Sequence, residues 1–238
     1  DKYLKDNVIN CQNLLAIAQE FSCRNFIFSS TAAIFGEPEY IPIDEAHPKK
    51  PINPYGASKL LIEQMLAKVD LNFVALRYFN AAGADPEGEL GENHDPETHL
   101  MPLICQAMTG KRADIKINGT DYETRDGTCI RDYIHVVDLC QAHLLALQYL
   151  QNGGKSDYFN LGSGAGFSVR EIITEAESLI KNTYPELCLK VQIQARRLGD
   201  PAILIADSQK AAQILKWQPQ HTSPKNMLED CLKWELKK

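Results

Sequence analysis

The chain has 238 residues, 44% hydrophobic and 24% charged, which is enough to bury a sizeable core as one large domain or two small ones and excludes a disordered chain. Its 25 Lys and Arg against 31 Asp and Glu leave a net charge of −6 with no basic stripe, so nucleic acid is excluded as a partner. The longest apolar region, residues 136–150, is broken by Asp138, Gln141, His143 and Gln148. It falls short of the roughly 18–20 apolar residues that cross a bilayer.

Leu4, Val8, Cys11, Leu15 and Ala18 recur every three or four residues and predict an amphipathic helix over 3–19. Asn25-Phe26-Ile27-Phe28-Ser29-Ser30 predicts a buried strand, Pro54 opens a helix running to about Val69, and residues 72–77 (NFVALR) form the next strand. The alternation continues with a helix over 100–108, a strand near Ile115, a helix over 136–150 and a strand over 158–161. A helix over 168–180, a strand near 189–193 and two C-terminal helices complete the pattern. Short apolar strands alternating with helices define an α/β fold, a doubly wound parallel sheet covered on both faces. The loops 31–53, 78–98 and 118–131 are long for connectors, and loops that follow strand ends are where such sheets hold ligands. The seven cysteines stand singly without a C-x-x-C pair, so neither a zinc site nor a redox dithiol is expected, and the thiols point to a reducing cytoplasm.

Tyr55-x-x-x-Lys59 places a phenol and an ammonium one helical turn apart, where the cation can lower the phenol pKa and make a base near neutral pH. Nine tyrosines among this many basic residues give about one such pair by chance, so the pair alone decides nothing. Upstream, Ser29-Ser30-Thr31 ends an apolar strand, and a Thr31 hydroxyl there could complete a Thr, Tyr and Lys set around a substrate alcohol, or simply make a strand-end turn.

Seven stretches in one order, FSSTAAIFGEPEYIPIDE, NPYGASK, LRYFNAAGADPEGELGE, HLMPLI, GTCIRDYIHVVDL, YFNLGSG and RRLGDPAILIADSQKA, resemble the extended short-chain dehydrogenase/reductase family. The resemblance spans essentially the whole chain. It implies interconversion of UDP-glucose and UDP-galactose through a 4-keto sugar, with NAD taking and returning the hydride. Tyr55 would be the base, Lys59 its electrostatic partner and ribose ligand, and Thr31 the hydroxyl bridge. Asp6, Tyr78 and Phe79 fall at cofactor positions, with Asp6 where the family usually has Asn. Asn80, His99 and Leu100 would meet the nucleotide sugar, Ile117 and Asn118 the uracil, Arg131 and Arg197 the diphosphate, and Asp200 the ribose. Leu204 borders the sugar 2-substituent and leans the specificity away from N-acetylated sugars. Without the family, Asn80 reads as a turn residue, His99 as an ordinary helix-start histidine, and the two arginines as surface groups.

The same resemblance implies that residues 1–80 are what remains of an NAD-binding Rossmann domain. Residues 81–238 would be mainly a smaller α/β substrate domain, with about 132–152 returning to the first. It also implies a homodimer through helices 3–20 and 55–68. Family members open with a strand and a Gly-rich phosphate turn, and here an amphipathic helix follows Asp1 at once. The one Gly-rich stretch, residues 162–167, has Phe167 where G-x-G-x-x-G needs Gly, and reads as a turn before a helix capped by Ser168. A catalytically silent fragment that binds a nucleotide sugar or a partner is therefore one alternative. Another epimerase or a decarboxylase of the same fold is a second. A 4,6-dehydratase is disfavoured, because Ala32 and Ala33 stand where that branch carries its Asp-Glu pair.

Overall fold

The computed structural model describes residues 2–238. Two compact units emerge: residues 2–79, 139–164 and 206–218 form the first, and residues 80–138, 165–205 and 219–238 the second. The segments that return to the first unit are thus 139–164 and 206–218 rather than 132–152. The reason is pairing: an Ile43–Ala206 bridge, the Ser208 hydroxyl on Gly162 N at 2.9 Å and a short Lys210–Asp157 ion pair tie 206–218 to unit 1.

In unit 1 a π-helical turn, Leu4–Ile9, leads into helix α1, Asn10–Glu20, so the single helix predicted over 3–19 begins with a wider turn. Strand β1 (Asn25–Thr31), helix α2 (Pro54–Leu66) and strand β2 (Asn72–Tyr78) follow. Helix α4 (Val136–Gln151), from residue 139 onward, and strand β6 (Asp157–Leu161) complete the unit. The sheet is parallel in the order β1-β2-β6, and its register sets Thr31, Tyr78 and Leu161 side by side at the C-terminal edge. Leu15 of α1, Ile62 and Leu66 of α2, and Phe28, Phe73 and Ala75 of the sheet make one core. The first of the two C-terminal helices expected from the pattern is here a π-helical turn, Ala211–Leu215, ended by Lys216 at φ 58°.

Unit 2 holds strand β3 (Asn80–Ala82), helix α3 (Leu100–Met108), and strands β4 (Ile115–Asn118) and β5 (Ile130–His135). Strand β7 (Gly166–Ser168), helix α5 (Val169–Asn182), strands β8 (Val191–Gln194) and β9 (Ile203–Leu204), and helix α6 (Pro224–Lys237) follow. Strand β5 runs parallel to β3 and β9 and antiparallel to β7, while β4 pairs with β8. Helices α3, α5 and α6 pack Met101, Ile104, Ile172 and Leu228 into the unit's core. The Gly-rich stretch is the expected turn: Ser168 caps α5 by accepting from Glu171 N at 3.0 Å, and Glu171 reaches back to Ser168 N at 2.8 Å. Among the described residues no helix is long and apolar enough to cross a membrane.

Candidate active site

The start of α2 is fixed by local chemistry. Asn53 accepts from Gly56 N at 2.8 Å, Pro54 takes the first helical position, and a Cβ on Gly56 would lie 2.3 Å from Ala33 O. Only glycine lets the helix approach the turn at Ala32–Ile34 so closely, and that turn is itself capped by Thr31, whose Oγ1 accepts from Ala33 N at 3.1 Å. Tyr55, beside Gly56, is thereby carried to the end of β1, where its phenol comes close to the Thr31 hydroxyl.

Burial pushes the Tyr55 phenol above the usual tyrosine range, Tyr78 adds to this, and the nearby Thr31 hydroxyl works in the opposite direction. Lys59, which the sequence led us to expect to depress the phenol, is not among the groups that shift it here. The ammonium sits 5.7 Å from the Tyr55 ring centroid and 5.0 Å from that of Phe28, and it donates to Ser29 O at 2.9 Å. Burial lowers the Lys59 pKa. Tyr78 is half-buried with its ring 6.5 Å from that of His143, Phe79 is buried, and Asp6 is exposed on the first helical turn. All six catalytic and cofactor candidates therefore belong to unit 1.

Unit 2 carries a cleft of about 190 Å³. Its walls bring together seven of the residues singled out from the sequence: Asn80, His99, Leu100, Asn118, Arg131, Arg197 and Asp200. Ile117 is not among them, because alternation along β4 turns its side chain into the core. Leu204 is half-buried on β9, in register with Arg131, and lies outside the walls. Arg131 is largely committed: it makes a short ion pair with Asp200 and donates to Ile130 O and Pro201 O, each at 2.7 Å. Asp200 also accepts from Cys129 Sγ at 3.7 Å. Arg197 is exposed, and with the Asn118 amide oxygen turned toward it Asn118 accepts from Nε at 3.2 Å. Lys116, Cys129 and Tyr133 also line the cleft and were missed. The i, i+2 alternation of β4 placed Lys116 beside Asn118 and could have found it.

His99, at the start of α3, bonds through Nδ1 to Glu92 at 2.8 Å and Glu97 at 2.9 Å. The Glu92 hydrogen bond, reinforced by Glu97, raises its pKa to about 9 against the opposing effect of burial. In Glu92 burial acts upward, but hydrogen bonds from His99 and His94 outweigh it and hold the carboxyl below its usual range. Ligand atoms of Glu92, His94, Glu97 and His99 lie within 4.8 Å of one another, but imidazole and backbone donors already occupy the carboxylates, and no metal role is assigned. Because the folded pKa lies above the unfolded value, the charged His99 stabilises the loop fully below about pH 6.5 and less as pH rises through about 9. An NMR titration is expected to show the ring changing charge near pH 9, and Glu92→Gln is expected to bring it back toward 6.5. A wild-type midpoint near 6.5 would contradict the assignment.

A parallel βα sheet whose strand-end hydroxyl meets a Tyr-x-x-x-Lys helix defines a site of the short-chain dehydrogenase/reductase class. The NAD dependent epimerase/dehydratase family matches residues 1–162. A UDP-glucose 4-epimerase from Halalkalibacterium halodurans is 48% identical over 237 residues, covering 98% of this chain and 70% of that protein. A crystal structure of UDP-glucose 4-epimerase from Brucella ovis in complex with NAD matches 97% of this chain and 71% of its own, at 44% identity and a TM-score of 0.91. One from Bifidobacterium longum in complex with NAD+ and UDP matches 99% of this chain and 70% of its own, at 35% identity and a TM-score of 0.89. The chain belongs to the NAD dependent epimerase/dehydratase family.

Proposed function

We propose that the chain acts as a UDP-glucose 4-epimerase, interconverting UDP-glucose and UDP-galactose by reversible oxidation at C4 with NAD as cofactor. The observation that carries this reading is the meeting of Thr31, Tyr55 and Lys59 at one strand end. Relatives at 44–48% identity share that one name, which favours it over a decarboxylase or another epimerase. The residues also fit the cofactor. Lys59 donates to Ser29 O and otherwise faces the Phe28 and Tyr55 rings, leaving its charge available to ligand hydroxyls such as those of a ribose.

Tyr55 takes the proton of the sugar 4'-hydroxyl, with Thr31 bridging the two oxygens, and returns it once the other face of the sugar is reduced. Lys59 holds ribose hydroxyls and adds positive charge beside the phenol. NAD, when bound, supplies the hydride acceptor and, in its oxidised form, a further positive charge that favours the phenolate. Tyr78 and Phe79 border the cofactor, as does Asp6, whose charge would weaken the hold on a phosphate. In unit 2, Arg197 and what remains of the Arg131 fork hold the diphosphate. Asn118 and the Ile117 backbone receive the uracil, Asp200 the ribose, Asn80, His99 and Leu100 the sugar, and Leu204 limits its 2-substituent. Incubating the chain with UDP-galactose and NAD is expected to yield a mixture with UDP-glucose by NMR; unchanged UDP-galactose would contradict the proposal.

The protein pairs with itself. Leu4, Ile9, Leu14, Ile17 and Phe21 on the first helical stretch and Leu61 on α2 are large apolar side chains left exposed, a patch of the kind that marks an interface. Light scattering at micromolar concentration is expected to give twice the chain mass, and a monomer would remove the claim. All seven cysteines are free thiols, which supports a cytoplasmic setting.

A further inference from the structure

We infer that Glu63 and Arg77 are positioning residues for this reaction: their buried ion pair fixes α2 against β1 so that Tyr55 and Lys59 meet Thr31 and Ser29. The inference rests on the reading of Tyr55 as the base.

Tyr55, Lys59 and Glu63 stand four residues apart, so all three project from one side of α2. Each meets one of the last three residues of β1. Tyr55 comes close to the Thr31 hydroxyl, Lys59 donates to Ser29 O at 2.9 Å, and Glu63 Oε1 accepts from Ser30 Oγ at 2.6 Å. Glu63 alone of the three is also tied to the middle strand of the sheet. Arg77 gives Nε to Oε1 at 2.9 Å and Nη2 to Oε2 at 2.7 Å. Its own place is set independently of α2: the guanidinium lies 4.4 Å from the Tyr158 ring centroid and 5.7 Å from that of Phe35, and Nη1 donates to Glu45 O at 3.4 Å.

The Arg77 and Glu63 side chains are 2% and 3% exposed. Removing two charges from water is costly, and apolar residues of equal volume hold a helix to a sheet as well or better. What a two-pronged charged bond adds is direction: it fixes distance and angle at both oxygens, where apolar contact allows sliding. Sliding of α2 by one ångström would separate the phenol from Thr31, and misplacement on that scale is enough to cost a reaction heavily. Neither residue lines the unit 2 cleft, so their effect belongs to turnover rather than to binding.

The test is the double variant Glu63→Met with Arg77→Met, which removes both charges without leaving either unpaired. In UDP-galactose turnover with NAD supplied, kcat is expected to fall about 10- to 100-fold. The KM is expected to stay within about twofold, and the acid limb of kcat to move to higher pH as the phenol loses Thr31. Wild-type kcat and an unmoved acid limb in a folded double variant would overturn the inference. If the double variant does not fold, Ser30→Ala, which removes only the bond from Ser30 Oγ, carries the same test with a smaller fall in kcat; unchanged kcat and acid limb would overturn it. If the parent chain itself shows no turnover, the epimerase reading fails separately. The phenol titration then decides the positioning claim, read as the near-ultraviolet difference between the chain and its Tyr55→Phe form. An upward shift in the double variant supports the claim, and an unmoved titration overturns it.

Discussion

Replacing Tyr55 by Phe is expected to lower epimerase turnover by about 10²–10⁴-fold, the range over which a positioned acid or base acts. Phenylalanine keeps the ring, its edge-on packing with Tyr3 at 5.9 Å and the start of α2, while deleting the one oxygen that meets Thr31. Binding of UDP-sugar is expected to survive, because the cleft residues all belong to unit 2 and Tyr55 belongs to unit 1. Initial rates and calorimetric titration of UDP separate the two effects. Near-normal turnover would remove Tyr55 from the mechanism, and lost UDP binding would mean that the phenol serves the nucleotide instead.

The largest stability effect is expected at Glu63→Ala, about 3–5 kcal/mol, because it strands a guanidinium that water cannot reach. At roughly 2–4 °C per kcal/mol for a chain of this size, thermal unfolding should begin some 6–20 °C lower. The cost is specific to breaking the pair, so Glu63→Met with Arg77→Met is expected to recover most of it. Equal losses in the single and double variants would show that volume, not charge, matters there.

Much of unit 1 was legible because local signals agree with the fold. Asn53-Pro54 marks the start of α2, the apolar run of β2 is buried as expected while Phe26 and Ile27 of β1 are only half-buried, and the four-residue step from Tyr55 to Lys59 puts both on one side of a helix. Strand β5 was hidden by its own polarity. Residues 130–135 read IRDYIH, and nothing local says that Arg131, Asp132 and His135 are all buried. Their burial depends on distant chain, Asp200 for Arg131 and Asp230 for His135, the latter at 3.3 Å. Arg77 carried a signal that was not used: one charge inside an apolar strand demands a buried partner. A carboxylate eight residues beyond Tyr55 on the same helix was the natural candidate. The roles of Arg131, Arg197 and Asp200 came from family likeness alone, since their meeting at one cleft depends on packing across about 70 residues of chain.

The proposed reaction oxidises and re-reduces C4 of a UDP-hexose without releasing that hydrogen. UDP-galactose labelled with deuterium at C4, incubated with the chain and NAD in ordinary water, tests this most directly. The UDP-glucose formed is expected to keep its deuterium at C4, because the hydride leaves and returns to the same carbon. Product with the label lost to solvent, or no product, would contradict it.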